Sequence, residues 1–370
     1  MDVLFLKYND TTKKLIPCAM VDDYSSFVYT RSYSGIGTWQ MVLPLSSGNA
    51  AQVLDADVIA FRFIRAGLIT KITKSVTDGN ETLTVSGLEL KGLVKHRIVI
   101  PPDGTAYVTY KQRPHQIIHS LLHSQLTEAS ADRMIPGTVG YVSTLDAEIP
   151  QILTYSGRYS ALEEDICALC EEYALGYYTY LDNDFEMFWS IYRGKDRSNK
   201  QTANPKMVFS YENDTLDSSS LESTRNNTNF LIVAGQGEGA DRAIAVVGTG
   251  TGFRRVEGFV DARDVSDASL LPERGAAKMA EYGDSVLFAA RASQTVVEKY
   301  ETEFDLGDLC TVIDNYGGVS FEVDARITEI TECYEDGAMS LDLTFGYDKT
   351  GLADVINRKT RNTQSLINKE

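Results

Sequence analysis

An eleven-residue segment occurs twice, and no other feature of this chain constrains its fold as much. Residues 69–79 read ITKITKSVTDG and residues 327–337 read ITEITECYEDG, so Ile, Thr, Ile, Thr, Asp and Gly coincide without a gap. Each copy leads into a strand of alternating polar and apolar residues that ends at Gly87 or at Gly346. Each follows a strand that starts at an acidic residue, Asp57 in DVIAF and Asp308 in DLCTV. A half-buried sheet imposes alternation on any hairpin, and Ile and Thr are common in strands. Two readings are open: two unrelated amphipathic hairpins, or a small β-barrel duplicated near both ends of the chain. The second has a geometric use. Three chains with two copies each close into a ring of six similar units, pseudo-sixfold on one face and threefold elsewhere, which adapts one symmetry to another.

Two positions invert their charge between the copies. Lys71 and Lys74 in the first stand where Glu329 and Glu332 stand in the second. Read as exposed positions, they are either two solvated faces or candidate inter-subunit contacts. In the latter case first-copy barrels meet second-copy barrels of the neighbouring subunit, and charge complementarity fixes the alternating order.

The rest of the chain divides by pattern. Residues 1–100 form the first β-barrel, with short β-branched and aromatic runs bounded by Gly, Pro, Asn or Asp and a hairpin turn at Asp78-Gly79. Residues 101–225 form an α+β insertion. Helices are predicted over 114–129, with Pro114 in the first turn, and over 160–175, with Ser160 and Glu163 as a capping box and Gly176 as the stop. Strands follow over 177–181 and 185–192. Residues 226–294 form a strand-rich connector (230–234, 243–247 and 253–260) with a helix over 272–282. Residues 295–348 form the second β-barrel, and 349–370 a polar C-terminal tail. The fold class is α+β, mainly β: two similar small tube-like barrels with an inserted α+β region, in a ring-forming homotrimer.

Charge narrows the function. Against 52 Asp and Glu there are 35 Lys and Arg, a net charge of −17. Such a surface repels phosphates, which excludes a nucleic-acid clamp and leaves a passage that DNA crosses without sticking. The balance of 43% hydrophobic and 24% charged residues excludes wholesale disorder. The cysteines (Cys18, Cys167, Cys170, Cys310, Cys333) are odd in number and scattered, so a disulfide framework is not expected and synthesis in a reducing host cytoplasm is. No stretch approaches the roughly 20 apolar residues of a spanning helix, and the N-terminus lacks the pattern of a signal peptide, so no membrane insertion by this chain is expected.

The constellations that could carry chemistry are few. His115, His119 and His123 lie at i, i+4 and i+8 of the first helix, either as metal candidates or as the polar border of the face carrying Ile117, Ile118, Leu121, Leu122 and Leu126. Cys167 and Cys170 fall inside a helix with Leu162, Ile166 and Leu169, as small buried hydrophobes. The glycines of residues 230–242 (FLIVAGQGEGADR) precede a strand and not a phosphate-facing helix, and 248–252 lacks the GK[ST] of a phosphate loop. No nucleophile motif occurs. No catalytic residue, cofactor or metal is therefore assigned, and the chain is expected not to be an enzyme.

Several segments together resemble a known family: GTWQMVLP at 37–44, IYRGKDRS at 191–198, VFS at 208–210, AGQGEGADR at 234–242, RVEGFVDARD at 255–264, DLGD at 305–308 and RITEI at 326–330. In this order and spacing the chain, from about residue 1 to 348, is similar to the ReqiPepy-type siphovirus tail proteins. That family is similar in turn to baseplate hub proteins and to the N-terminal regions of tail-associated proteins. The resemblance implies a non-enzymatic homotrimeric hub of a phage or tail-like bacteriocin, at the virion tail tip or baseplate. It implies as partners the distal tail protein or tail tube ring, the tape-measure protein and a spike or fibre protein, with DNA passing the channel without specific binding. Spike, fibre or lytic activity is then expected on another chain, with the tail 357–370 (NRKTRNTQSLINKE) as its docking element or as a frayed end. Residues 235–242 and 261–264 read as turn and ion-pair scaffolding. Two rival readings remain: a receptor- or carbohydrate-binding tail module, and a metal-dependent hydrolase using the three histidines.

Overall fold

The computed structural model describes residues 1–346 apart from 47, 63–64, 78–79, 225–227, 264, 266, 282–284, 317–318 and 336. The turn expected at Asp78-Gly79 and the tail 349–370 lie outside the described residues. Two compact units form among the described residues: Met1–Ser218 with Ala290–Thr311 and Arg326–Thr344, and Ser219–Ala289 with Val312–Ala325, Phe345 and Gly346.

The first unit is built on a sheet of β1 (Val3–Asn9), β2 (Lys14–Val21), β3 (Ser26–Ser32), β4 (Thr38–Pro44), β5 (Val58–Phe61), β6 (Arg65–Thr77) and β7 (Asn80–Glu89). Their spatial order is β3-β4-β7-β6-β5-β1-β2. Alternation decides the buried face: Phe27, Tyr29, Trp39, Met41, Leu43, Leu83 and Val85 point into the core, where Phe27 and Phe61 meet edge to face at 4.9 Å. Trp39 Nε1 donates to the carbonyls of Leu68 (3.0 Å) and Leu88 (3.1 Å), tying β4 to β6 and β7. Gly87 permits this close approach, since a Cβ there would lie 1.7 Å from the Leu68 oxygen.

The repeat is real in backbone detail. Ile69 N–H donates to the Asp57 carbonyl at 2.8 Å, and Ile327 N–H to the Asp308 carbonyl at 2.9 Å. Thr70 Oγ1 donates to the Ser86 carbonyl at 3.5 Å, and Thr328 Oγ1 to that of Thr344 at 3.2 Å. The likeness extends well beyond eleven residues. Strands Leu216–Thr224, Ser285–Ala292, Ala338–Gly346, Val319–Glu335, Leu309–Tyr316 and Val208–Ser210 neighbour one another in the order that β3, β4, β7, β6, β5 and β1 take. Val319–Glu335 then pairs antiparallel with β3, from Glu329 opposite Ser32 to Glu335 opposite Ser26. One chain therefore does not close the two expected barrels: among the described residues the strands make an open path, because this second-copy strand joins the edge of β3.

The helix expected over 114–129 is an α-helix over Pro114–Leu122 that relaxes into a π turn over His123–Thr127. Its apolar stripe packs with Leu162, Ile166 and Cys170 of helix Leu162–Tyr173. That helix lacks the expected capping box. Ala161 is its N-cap, and Ser160 Oγ donates to the Asp165 carboxylate instead. It stops at left-handed Ala174 (φ 52°), and Gly176 opens the strand Gly176–Leu181.

In the second unit Phe230–Ala234 is flanked by Ile244–Gly248 and Glu257–Asp261, with helix Leu271–Glu281 packed on the sheet. Leu231, Val233, Val260 and Leu271 are its core. The strand expected over 253–260 is a short 3-10 turn, Gly252–Arg254, followed by Glu257–Asp261. Among the described residues no helix is long and apolar enough to cross a membrane.

Candidate functional site

A buried charge cluster of the first unit lies where the two copies meet. Glu332, on the second-copy strand, is completely buried. Its Oε1 accepts from Arg65 Nε (3.2 Å) and Tyr300 OH (2.7 Å), and its Oε2 from Tyr334 OH (2.6 Å) with Arg62 Nη1 at 3.7 Å. Arg65 also pairs with Glu301, and Arg62 Nη2 reaches Glu301 Oε2 at 3.1 Å. Arg31, on β3, donates to Tyr300 OH at 2.7 Å and to Asp305 Oδ1 at 2.6 Å. Burial alone would raise the Glu332 carboxyl; the Arg65 and Arg31 guanidiniums and the two phenols outweigh it and hold the group below its ordinary value. Asp305 is held down in the same way, by Arg31 acting against burial.

A second junction gathers three of the resemblance segments. The Asp308 carboxylate of DLGD accepts from Lys195 N (2.7 Å) and Arg197 Nε (2.6 Å) of IYRGKDRS, while Arg326 of RITEI donates to the Gly307 carbonyl. The guanidiniums of Arg31, Arg62, Arg65 and Arg197 each pair with a carboxylate within the fold and brace strands.

The sequence-derived candidates fall as follows. Lys71 and Lys74 are exposed, with Lys74 Nζ 3.0 Å from Glu81. Glu329 is half-buried, its carboxyl raised by burial and by Glu89. Glu332 corrects the expectation of an exposed position, because Arg62 and Arg65 of the first copy fold over it. Sequence reasoning missed both arginines, since nothing local links residues 62–65 to residue 332.

The histidines do not converge. His115 Nε2 meets Asp146 Oδ1 at 3.1 Å, His123 Nε2 meets Glu128 at 3.2 Å, and the His119 and His123 rings stack at 5.9 Å. Among the described residues no group of three His, Cys, Asp or Glu side chains is arranged to hold a metal. All five cysteines are free thiols, and burial pushes Cys167 up to about 11. In the glycine-rich loop, Arg242 donates to the carbonyls of Gly235 (2.8 Å) and Ala234 (2.9 Å) and pairs with Asp261, as a turn scaffold does. Asp264 lies outside the described residues.

The family model for Siphovirus ReqiPepy6 Gp37-like proteins matches residues 12–347. This chain belongs to that family. The fold of this Gp37-like chain is shared with solved phage tail proteins at low identity. The 43 kDa tail protein of prophage MuSo2 from Shewanella oneidensis is similar with a TM-score of 0.56 and 13% identity, over 94% of this chain and 99% of that one. The tail protein from Neisseria meningitidis MC58 gives 0.54 and 12%, over 96% and 99%. Prophage tail protein gp18 from Listeria monocytogenes EGD-e gives 0.50 and 9%, over 98% and 99%. Comparison with curated protein sequences gives no match.

Proposed function

We propose that this Gp37-like chain is the structural hub of a phage tail or tail-like particle. Three chains form a ring that adapts the sixfold tail tube or distal tail ring to a threefold spike or fibre. The ring lines a channel that DNA and the tape-measure protein traverse. The observation that carries this reading is the duplication: two sets of six strands in one order within one chain, which three chains turn into six similar units. The net charge of −17 suits a channel that must not retain DNA. The role is non-enzymatic, a reading supported by buried charged groups that pair between the two copies (Arg65 with Glu332) and between the insertion and the second copy (Arg197 with Asp308). The site of action is the tail tip or baseplate.

Electron microscopy of the purified protein tests the reading. A ring with six similar lobes around an opening, threefold in its outer features, is the expected image. A population of isolated single chains or of twofold dimers would overturn it.

A further inference from the structure

We propose that the loop of residues 249–256 is a membrane-surface contact: its tip, Phe253, enters the interface of a bilayer whose anionic headgroups Arg254 meets. The contact is peripheral, needs no spanning helix and does not depend on the trimeric hub reading.

The loop joins strand Ile244–Gly248 to strand Glu257–Asp261 and reads TGTGFRRV. Asn229 staples both of its ends. Thr249 N–H donates to the Asn229 carbonyl at 3.2 Å and Val256 N–H to Asn229 Oδ1 at 3.0 Å, while Asn229 Nδ2 donates to the Arg254 carbonyl at 2.6 Å. Gly252 takes φ 53°, a left-handed turn just before the tip that a glycine adopts without strain. The loop is thus a formed projection. Phe253 stands on the 3-10 turn Gly252–Arg254 and is fully exposed.

The sheet face behind the tip is apolar. Helix Leu271–Glu281 covers one face, where Leu231, Val233 and Val260 are buried. Register and alternation put Val246, Ile232 and Phe259 side by side on the other. Val246 and Phe259 are each 59% exposed, and Val256 is 41% exposed. Exposed apolar groups gathered in this way mark a contact surface.

Shape and charge select a bilayer as the occupant. A ring solvated on every side needs a matched pocket in a protein partner, whereas lipid deforms around it. An aromatic ring beside a cation suits the headgroup level, with the ring toward the acyl boundary and the charge among the phosphates. Residues 249–256 carry two arginines and no carboxylate, within a chain of net charge −17. Arg255 lies over the Phe230 ring at 3.4 Å and pairs with Glu257 at 2.6 Å. Arg254 is exposed and has no ion-pair partner among the described residues, so it is the cation left for a phosphate. The opposite end of the sheet sets Glu238, Asp241 and Asp261 against Arg242 and Arg263, so the basic end is the loop end. The chain as a whole is repelled by an anionic surface, and binding to one therefore reports a local site.

Co-sedimentation of the full chain with vesicles of equimolar phosphatidylcholine and phosphatidylglycerol tests the contact. The wild-type protein should bind, and Phe253→Ser should weaken binding at least about tenfold through the lost apolar burial. Arg254→Gln should weaken it about fivefold on those vesicles and leave binding to pure phosphatidylcholine unchanged. Both side chains are exposed, so neither change should move the thermal melt. Phe253→Trp supplies a second readout: its emission should shift to the blue when vesicles are added, against the buried Trp39 and Trp189. Wild-type protein that stays in the supernatant with both kinds of vesicle would overturn the contact, as would Phe253→Ser that binds as tightly as wild type. So would a Phe253→Ser variant that loses self-association while the wild type ignores vesicles, which would make the loop an interface between copies. The hub reading is decided separately, by the image of the purified particle.

Discussion

Lys74 and Glu332 occupy the same position in two copies of one strand, yet Lys74 is open to solvent and Glu332 is wholly enclosed. The difference is made by the strand and arginines of the first copy that cover Glu332. The same position thus carries opposite charge and opposite burial in the two copies.

Glu332→Gln keeps the shape of the buried group but leaves Arg62 and Arg65 underpaired. Loss of about 3–5 kcal/mol is expected in a denaturant titration, as for breaking one partner of a buried ion pair. Lys74→Gln, at an exposed pair, should change monomer stability by less than about 1 kcal/mol.

Acid should destabilise the fold in two stages. Burial, opposed by Asp146, lowers His115, and burial also lowers His119, so both bind protons more readily in the unfolded chain. Stability should begin to fall as pH drops below the unfolded histidine value of about 6.5. Glu332 and Asp305 are held below their ordinary values, so their contribution is complete above roughly pH 4 and is lost as pH falls through their folded values. Thermal melts between pH 8 and 3 check both steps, and His115→Gln should flatten the upper one.

Gly87→Ala places a methyl against the Leu68 carbonyl beside the Trp39 indole. Destabilisation of about 1–3 kcal/mol is expected from overpacking. Trp39 fluorescence should report the shifted strand.

Zinc addition and chelation should each leave the melting temperature unchanged. His115 and His123 are each engaged by a carboxylate on opposite stretches of the helix and cannot share one ion without breaking those pairs. Isothermal titration with zinc chloride checks it.

The sequence revealed the duplication only where a hairpin must alternate, over residues 69–79 and 327–337. Leu216–Thr224 is a polar edge strand, LDSSSLEST, with no apolar alternation, and Ser285–Ala292 is separated from it by an inserted sheet and helix, so neither advertised its place in the second copy. Arg242 and the glycine loop were legible because their partners are near in sequence. The burial of Glu332 was not, because its cover comes from Arg62 and Arg65 in the other copy. Ser160 illustrates the local limit: the capping pattern was present, but Asp165 took its hydroxyl.

Whether three chains make one ring is read from the solution mass by light scattering at low and moderate salt. The expected mass is that of a particle of three 40.9 kDa chains. A single-chain mass at high protein concentration in both salts would contradict it.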